Sequence, residues 1–235
     1  SGVNSQAATY SFKSGITTHN FHSGVPLLTT YPFLTNGNSL ETPLYNLVNG
    51  GSVRFTTGVD GIPAAGSFPG TFTPSNKFTG PTALNNALSN FQDIKISTDI
   101  FVSGKNGAVQ TIWAVGGTPP GGSLTNPIYR IDINADNTIK AFLSGSFGTI
   151  TSPSDILSTG NWNNITFTYT DGVSRLYVNN TGVGTFTKNF GKPPAQIFTI
   201  GCDLLGGQPL TIGYVSNFKI ASGIFSDTII SGAPD

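Results

Sequence analysis

Apolar and polar side chains alternate along this chain with a period of two, in short runs that glycine, proline, asparagine and aspartate repeatedly cut. Successive side chains of an extended strand point to opposite faces, so such runs become strands with one dry face and one wet face. In 128–134 the alternation places Tyr129, Ile131 and Ile133 on one face and Arg130, Asp132 and Asn134 on the other. Residues 135–137 make a turn and 138–143 return. A second hairpin opens with 162–170, where Ile165, Phe167 and Tyr169 share a face. Asp171-Gly172, a dipeptide suited to the positive φ angles of a two-residue hairpin turn, precedes the returning strand 174–178. Further strands are predicted in 91–102, 110–115, 198–201 and 210–220. No window carries a sustained 3.6-residue period; the run 82–88 (TALNNAL) predicts one or two turns of helix. The class is therefore all-β.

Three stretches differ in character. Residues 1–57 hold short apolar pieces cut by Pro or Gly, and read as strands that belong to the same sandwich or to a small cap. Residues 58–82, dense in Gly and Pro, read as a long loop. Residues 83–235 read as the main domain.

Composition excludes several functions. Eleven Lys+Arg balance eleven Asp+Glu, for a formal net charge of zero, and only three of the cations are Arg. Phosphate neutralisation needs a basic excess, so a nucleic-acid partner is excluded. No apolar run approaches the ~18 residues that would span a bilayer, so no membrane insertion is expected. A hydrophobic content of 37% is too high for a disordered chain. Solubility rests on hydroxyls and amides, since Glu41 is the sole Glu. That style of surface predicts an extracellular or virion-surface location. The chain begins at Ser1 and contains no Met, which predicts a processed product or an excised fragment. Cys202 has no second cysteine to pair with and reads as a small buried hydrophobe. The alternative, a reactive thiol, has no base or cation beside it in sequence.

The residues of nucleophilic and metal chemistry are sparse. There is no G-x-S-x-G. His19 and His22 have metal-ligand spacing, with a locally packed loop pair as the alternative, because no third ligand is near. Asp132/Asp136 and Asp93/Asp99 share no convincing face, so no pair of carboxyls offers itself for acid–base work. The chain is read as a non-enzyme.

From Trp162 onward the order of motifs resembles the laminin G-like, concanavalin A-like lectin/glucanase superfamily. The residues that carry it are NWNNITFTYTDGVSRLYVNNTGVGTF (161–186), FTIGCDLLGG (198–207) and IGYVSNFKIASGIFSD (212–227), with Ile94–Val102 and Trp113-Ala-Val-Gly fitting the opening strand pair. The resemblance covers roughly 90–227. One departure is Asn179-Asn180-Thr181-Gly182 where the family has Asn-Gly, which predicts a turn two residues longer. The resemblance implies an antiparallel jelly-roll β-sandwich. It also implies that Trp162, like Trp113, sits in the core. The paired Glu of the family's glucanases has no counterpart here. Relatives hold Ca²⁺ in a rim loop, which singles out Asp60 and Asp203 as candidate metal ligands; the alternative is that these residues only make turns.

For ligand binding the polar face of the first hairpin stands out: Arg130, Asp132 and Lys140, with Thr138 beside them. The alternative is a solvated outer face. Two N-x-[ST] acceptors, Asn164 and Asn179, complete the inventory. The functional expectation is a lectin-like, non-enzymatic recognition domain that binds a glycan or a cell-surface receptor. Two alternatives stand beside it: a structural capsid or fibre module packing in a homo-oligomer, and a glycan-cleaving enzyme.

Overall fold

The computed structural model describes residues 27–33, 36–50, 53–59, 61–66, 77–89, 93–104, 107–116, 127–143, 148–189, 197–204, 208–211 and 213–222. Among them the chain forms two antiparallel sheets. Fifteen strands make them up: β1 (Leu27–Tyr31), β2 (Val48–Asn49), β3 (Arg54–Val59), β4 (Ile62–Gly66), β5 (Phe78–Thr79), β6 (Ile94–Val102), β7 (Gln110–Gly116), β8 (Pro127–Ile133), β9 (Ile139–Leu143), β10 (Gly148–Thr151), β11 (Trp162–Thr170), β12 (Val173–Val178), β13 (Thr181–Thr187), β14 (Ile197–Ile200) and β15 (Gly213–Ser222). The eight-stranded sheet runs β13-β12-β11-β6-β15-β4-β3, with β1 also on β15. The seven-stranded sheet runs β10-β9-β8-β7-β14-β5-β2. Helix α1 (Thr82–Ser89) buries Leu84 and Leu88, one turn apart on one face.

The alternation seen in the sequence is what buries the core. In β6 Ile94, Ile96, Ile100 and Val102 are buried, with half-buried residues between them. Facing them, Trp113, Tyr129, Ile131, Ala141 and Phe198 come from the seven-stranded sheet. Aromatic rings bridge the two layers: Trp113 lies 5.8 Å from Phe167, Tyr129 5.2 Å from Phe167, and Phe198 5.7 Å from Phe218. Buried aromatics of this size carry much of the stabilisation of such a core, on the order of 2–3 kcal/mol each.

Three expectations change. The stretch 58–82 is not one loop, since β4 and β5 lie within it and pair into opposite sheets. Pro63 is tolerated because it falls where the β3–β4 register shifts, so no ladder N–H is lost there. The turn after β12 is not lengthened: Val178 pairs with Thr181, and Asn179 and Asn180 take φ of 50° and 64°. Asn tolerates the left-handed region better than other non-glycine residues, so Asn-Asn makes the same two-residue turn as Asn-Gly. Trp162 is not in the core. Ile165, Phe167 and Tyr169 point inward, and Trp162 has the opposite parity, so it lies half-buried on the outer face.

Candidate functional site

The outer face of the seven-stranded sheet carries two rows of side chains set by strand register. One row is Thr111 (β7), Asp132 (β8) and Lys140 (β9); the next is Ala114, Arg130 and Phe142 on the same strands. The structure therefore brings Arg130, Asp132 and Lys140 together. It also adds Phe142, two residues beyond Lys140 and hence on the same face. The Arg130 guanidinium carbon lies 4.2 Å from the centre of the Phe142 ring and the Lys140 ammonium nitrogen 4.4 Å from it. Both cations thus draw on one ring's negative π face.

Asp132 differs from a residue on a solvated face: its relative exposure is 0%. Its Oδ2 lies 2.8 Å from Nη2 of Arg130, and its Oδ1 accepts a hydrogen bond of 2.8 Å from the Thr111 hydroxyl. Burial pushes its carboxyl up to about 6, while Arg130 and Thr111 pull it down and the neighbouring Asp203 carboxylate pushes it up further. The expectation of a wet outer face fails at this residue, because the chain after β14 folds along the end of β7 beside it. The Gln208 carbonyl accepts from the Thr111 N–H at 2.8 Å, and the Gly201 N–H donates to the Ile112 carbonyl at 2.8 Å. Gln110 Oε1 accepts from the Thr211 N–H at 2.7 Å. Thr138 does not join the site. Its hydroxyl and N–H both reach Asp136 Oδ1, at 2.8 and 3.0 Å, and it is spent on the β8–β9 turn.

Asp203 sits at the margin of this face, and Asp60 lies outside the described residues. Around Asp203 the described backbone carbonyls already accept hydrogen bonds. The Cys202 carbonyl accepts from the Thr199 hydroxyl, the Asp203 carbonyl accepts from the Cys202 thiol, and the Leu204 carbonyl accepts from the Lys77 ammonium at 3.2 Å. An ammonium already seated on the loop repels a second cation. Among the described residues no three His, Cys, Asp or Glu side chains converge. Burial also pushes the Cys202 thiol up to about 12, despite Lys77 nearby. His19 and His22 lie outside the described residues. Both glycosylation acceptors have engaged amides: Asn164 Nδ2 donates to Asp99 Oδ1 at 2.8 Å, and Asn179 Nδ2 to Asn163 Oδ1 at 3.2 Å.

Sequence reasoning missed Phe142, Thr111 and Gln208. Phe142 had a signal, its parity with Lys140. Thr111 and Gln208 had none, because their roles depend on a loop nearly a hundred residues away from β7 in sequence.

Residues 101–231, more than half of the chain, match the sequence profile of the Laminin_G_3 family. The chain belongs to the concanavalin A-like lectin/glucanase superfamily. No curated protein sequence matches it. Solved structures of similar fold include Trypanosoma rangeli sialidase in complex with sialic acid, at 13% identity and a TM-score of 0.60, covering 86% of this chain and 31% of that one. The binding domain of Paraclostridial Mosquitocidal Protein 1 follows at 14% identity and 0.59, covering 80% and 47%. Domain 4 of an extracellular arabinanase from Geobacillus stearothermophilus, in complex with arabinotriose, matches at 14% identity and 0.58, covering 86% and 95%. The chain thus spans about a third of the sialidase and nearly all of the arabinanase domain. At such identities these likenesses show a shared sandwich fold alone.

Proposed function

We propose that this superfamily member is a non-catalytic recognition domain that binds a glycan, free or on a cell-surface receptor, through the outer face of its seven-stranded sheet. The observation that carries the reading is the seating of Arg130 and Lys140 on the Phe142 ring. Two cations held in place on one aromatic ring offer fixed donors to the hydroxyl or carboxyl oxygens of a sugar. Asp132, buried behind them, orients the Arg130 guanidinium. Membership in a lectin-bearing superfamily supports the reading, as does the arabinotriose-bound domain that the chain matches over nearly its whole length. The same reading sets the domain outside the cell or on a virion surface.

A glycan-cleaving reading has one observation in its favour: Asp132, its carboxyl raised by burial, lies near a second carboxylate, Asp203. Against it, both Asp132 oxygens face protein groups and the side chain has no exposed surface. A proton donor must reach the glycosidic oxygen, and Asp132 reaches Arg130 instead. The full chain applied to a glycan array tests the proposal. Binding to a subset of glycans, weakened at least about tenfold by Lys140→Ala and by Arg130→Gln, is expected. Silence on the array, or binding that both variants leave intact, would refute it. Hydrolysis of a bound glycan that Asp132→Asn abolishes would establish the enzymatic reading in its place.

A further inference from the structure

One hydroxyl of this molecule stands before two acceptors. Thr111 Oγ1 lies 2.8 Å from Asp132 Oδ1 and 3.2 Å from Gln208 Oε1. A threonine hydroxyl carries a single proton. It can donate to the carboxyl or to the amide oxygen, but not fully to both. Thr111 and Asp132 each have 0% exposure, so bulk water supplies no second donor between them. The Gln208 backbone is tied to the same place: its carbonyl accepts from the Thr111 N–H at 2.8 Å, and two residues on, the Leu210 N–H donates to the Gly201 carbonyl at 2.9 Å. Gln208 holds a φ of 49°, a left-handed conformation that favours glycine. A residue in that conformation stays there only while its surroundings hold it.

The charge on Asp132 decides where the hydroxyl proton goes. An ionised carboxylate is the stronger acceptor and takes it, which leaves Gln208 Oε1 facing a hydroxyl lone pair. A protonated carboxyl reverses the order. Asp132 Oδ2 lies 2.8 Å from Arg130 Nη2, a group that only donates, so the acid proton belongs on Oδ1. Oδ1 then donates to Thr111 Oγ1, and Thr111 turns its own proton to Gln208 Oε1. The protonated state closes a chain of two hydrogen bonds from Asp132 to Gln208. The ionised state breaks that chain at Gln208.

From this shared hydroxyl we propose that Asp132, Thr111 and Gln208 form a proton-operated latch: a proton on Asp132 locks the segment that carries Gln208 onto β7, and its loss releases the Gln208 side chain. The latch stands whether or not the outer face binds a sugar, so it goes beyond the recognition reading. The charged groups that face Asp132 are Arg130 on its own strand, Lys140 opposite it on β9, and Asp203 on the segment after β14. Lys77 stands behind Asp203, on the Leu204 carbonyl. Strand β7 and residues 208–211 carry no charged residue. Burial raises the Asp132 carboxyl, Arg130 lowers it and Asp203 raises it further, to about 6. The latch is therefore closed in mildly acidic surroundings and open at neutral pH.

Proton and latch stabilise each other by the same factor, so either one reports on the other. The experiment is amide hydrogen exchange on the full chain at pH 5 and pH 7, with each rate taken relative to that of an unstructured amide at the same pH. Protection of the Thr111 N–H, relative to the other amides of β7, should be about fivefold greater at pH 5, the worth of one hydrogen bond. Asp132→Asn, which cannot titrate, and Gln208→Gly, which suits the left-handed backbone and removes the acceptor, should both make that ratio level. Carboxyl carbon NMR supplies a second reading: Gln208→Gly should lower the proton affinity of Asp132 by about fivefold. Should Asp132→Asn not fold by thermal melting, Gln208→Gly carries both measurements. A level ratio in the native chain overturns the latch, as does a ratio that survives Gln208→Gly. So does an Asp132 proton affinity that Gln208→Gly leaves unchanged or raises, the result expected if the Gln208 amide turns its Nε2 to Thr111.

Discussion

Asp132 couples the stability of this molecule to pH in a direction opposite to that of an ordinary surface-paired carboxylate. Its carboxyl is raised in the folded state from 3.8 to about 6, burial being the largest cause. Between those two values the folded chain holds a proton that the unfolded chain has lost. Stability then falls as pH rises, at about 1.36 kcal/mol per pH unit. The contribution is fully present below pH ~4, declines through pH 4–6, and is gone above it; over the window it amounts to about 3 kcal/mol. The side chain has no exposed surface, so solvent screening takes little from this figure. The groups that face it are Arg130, which pulls the value down, and Asp203, which pushes it up. The assay is urea unfolding at half-unit steps from pH 4 to 7, on the native chain and on Asp132→Asn. The variant removes the titration and keeps the side-chain volume, and carboxylates that do not interact with Asp132 cancel in the difference. Stability of the native chain relative to the variant should drop by about 2.4 kcal/mol between pH 4 and pH 7, the rest of the span lying below pH 4. A difference that stays level, or that grows as pH rises, refutes the argument; the second outcome would mean that the Arg130 pairing outweighs desolvation.

Other consequences are simpler. A β-carbon on Gly213 would stand 2.6 Å from the Phe101 carbonyl oxygen; since that obstacle is backbone, Gly213→Ala should cost about 3 kcal/mol and lower Tm by about 10 °C in a calorimetric scan. At Asn180, whose φ is 64°, Asn180→Gly should be neutral or stabilising by up to ~1 kcal/mol and Asn180→Val destabilising by ~1–2 kcal/mol in chemical denaturation. Cys202, buried with its thiol pushed up to about 12, should react with a disulfide reagent at pH 8 about a thousandfold more slowly in the native chain than in denaturant; comparable rates would place it at the surface.

Much of the fold was legible because strand alternation is local. The faces of β8 and β11, the Asp171-Gly172 turn and the helix at 82–88 all follow from residues within a few positions of one another. The parity that buried Ile165 and Phe167 also sent Trp162 outward, and the resemblance to a family with a buried Trp overrode that plain signal. Pro and Gly in 58–82 hid β4 and β5, because what admits Pro63 is a register shift against β3, a property of the partner strand. The candidate ligand residues Arg130, Asp132 and Lys140 were legible as a face, but the burial of Asp132 and the part played by Phe142 were not.

By itself, the order of residues determined that this chain becomes paired ribbons with one apolar side, since a period of two leaves a strand no other way to hide its Ile, Val and Phe from water. Only the tertiary structure decided which outward side chains stay wet. Asp132 and Lys140 are register partners of the same parity; one is sealed beside the chain that follows β14 and the other is not. Desolvation depends on whatever segment packs overhead, and that segment, around Gln208, lies far along the chain from Asp132.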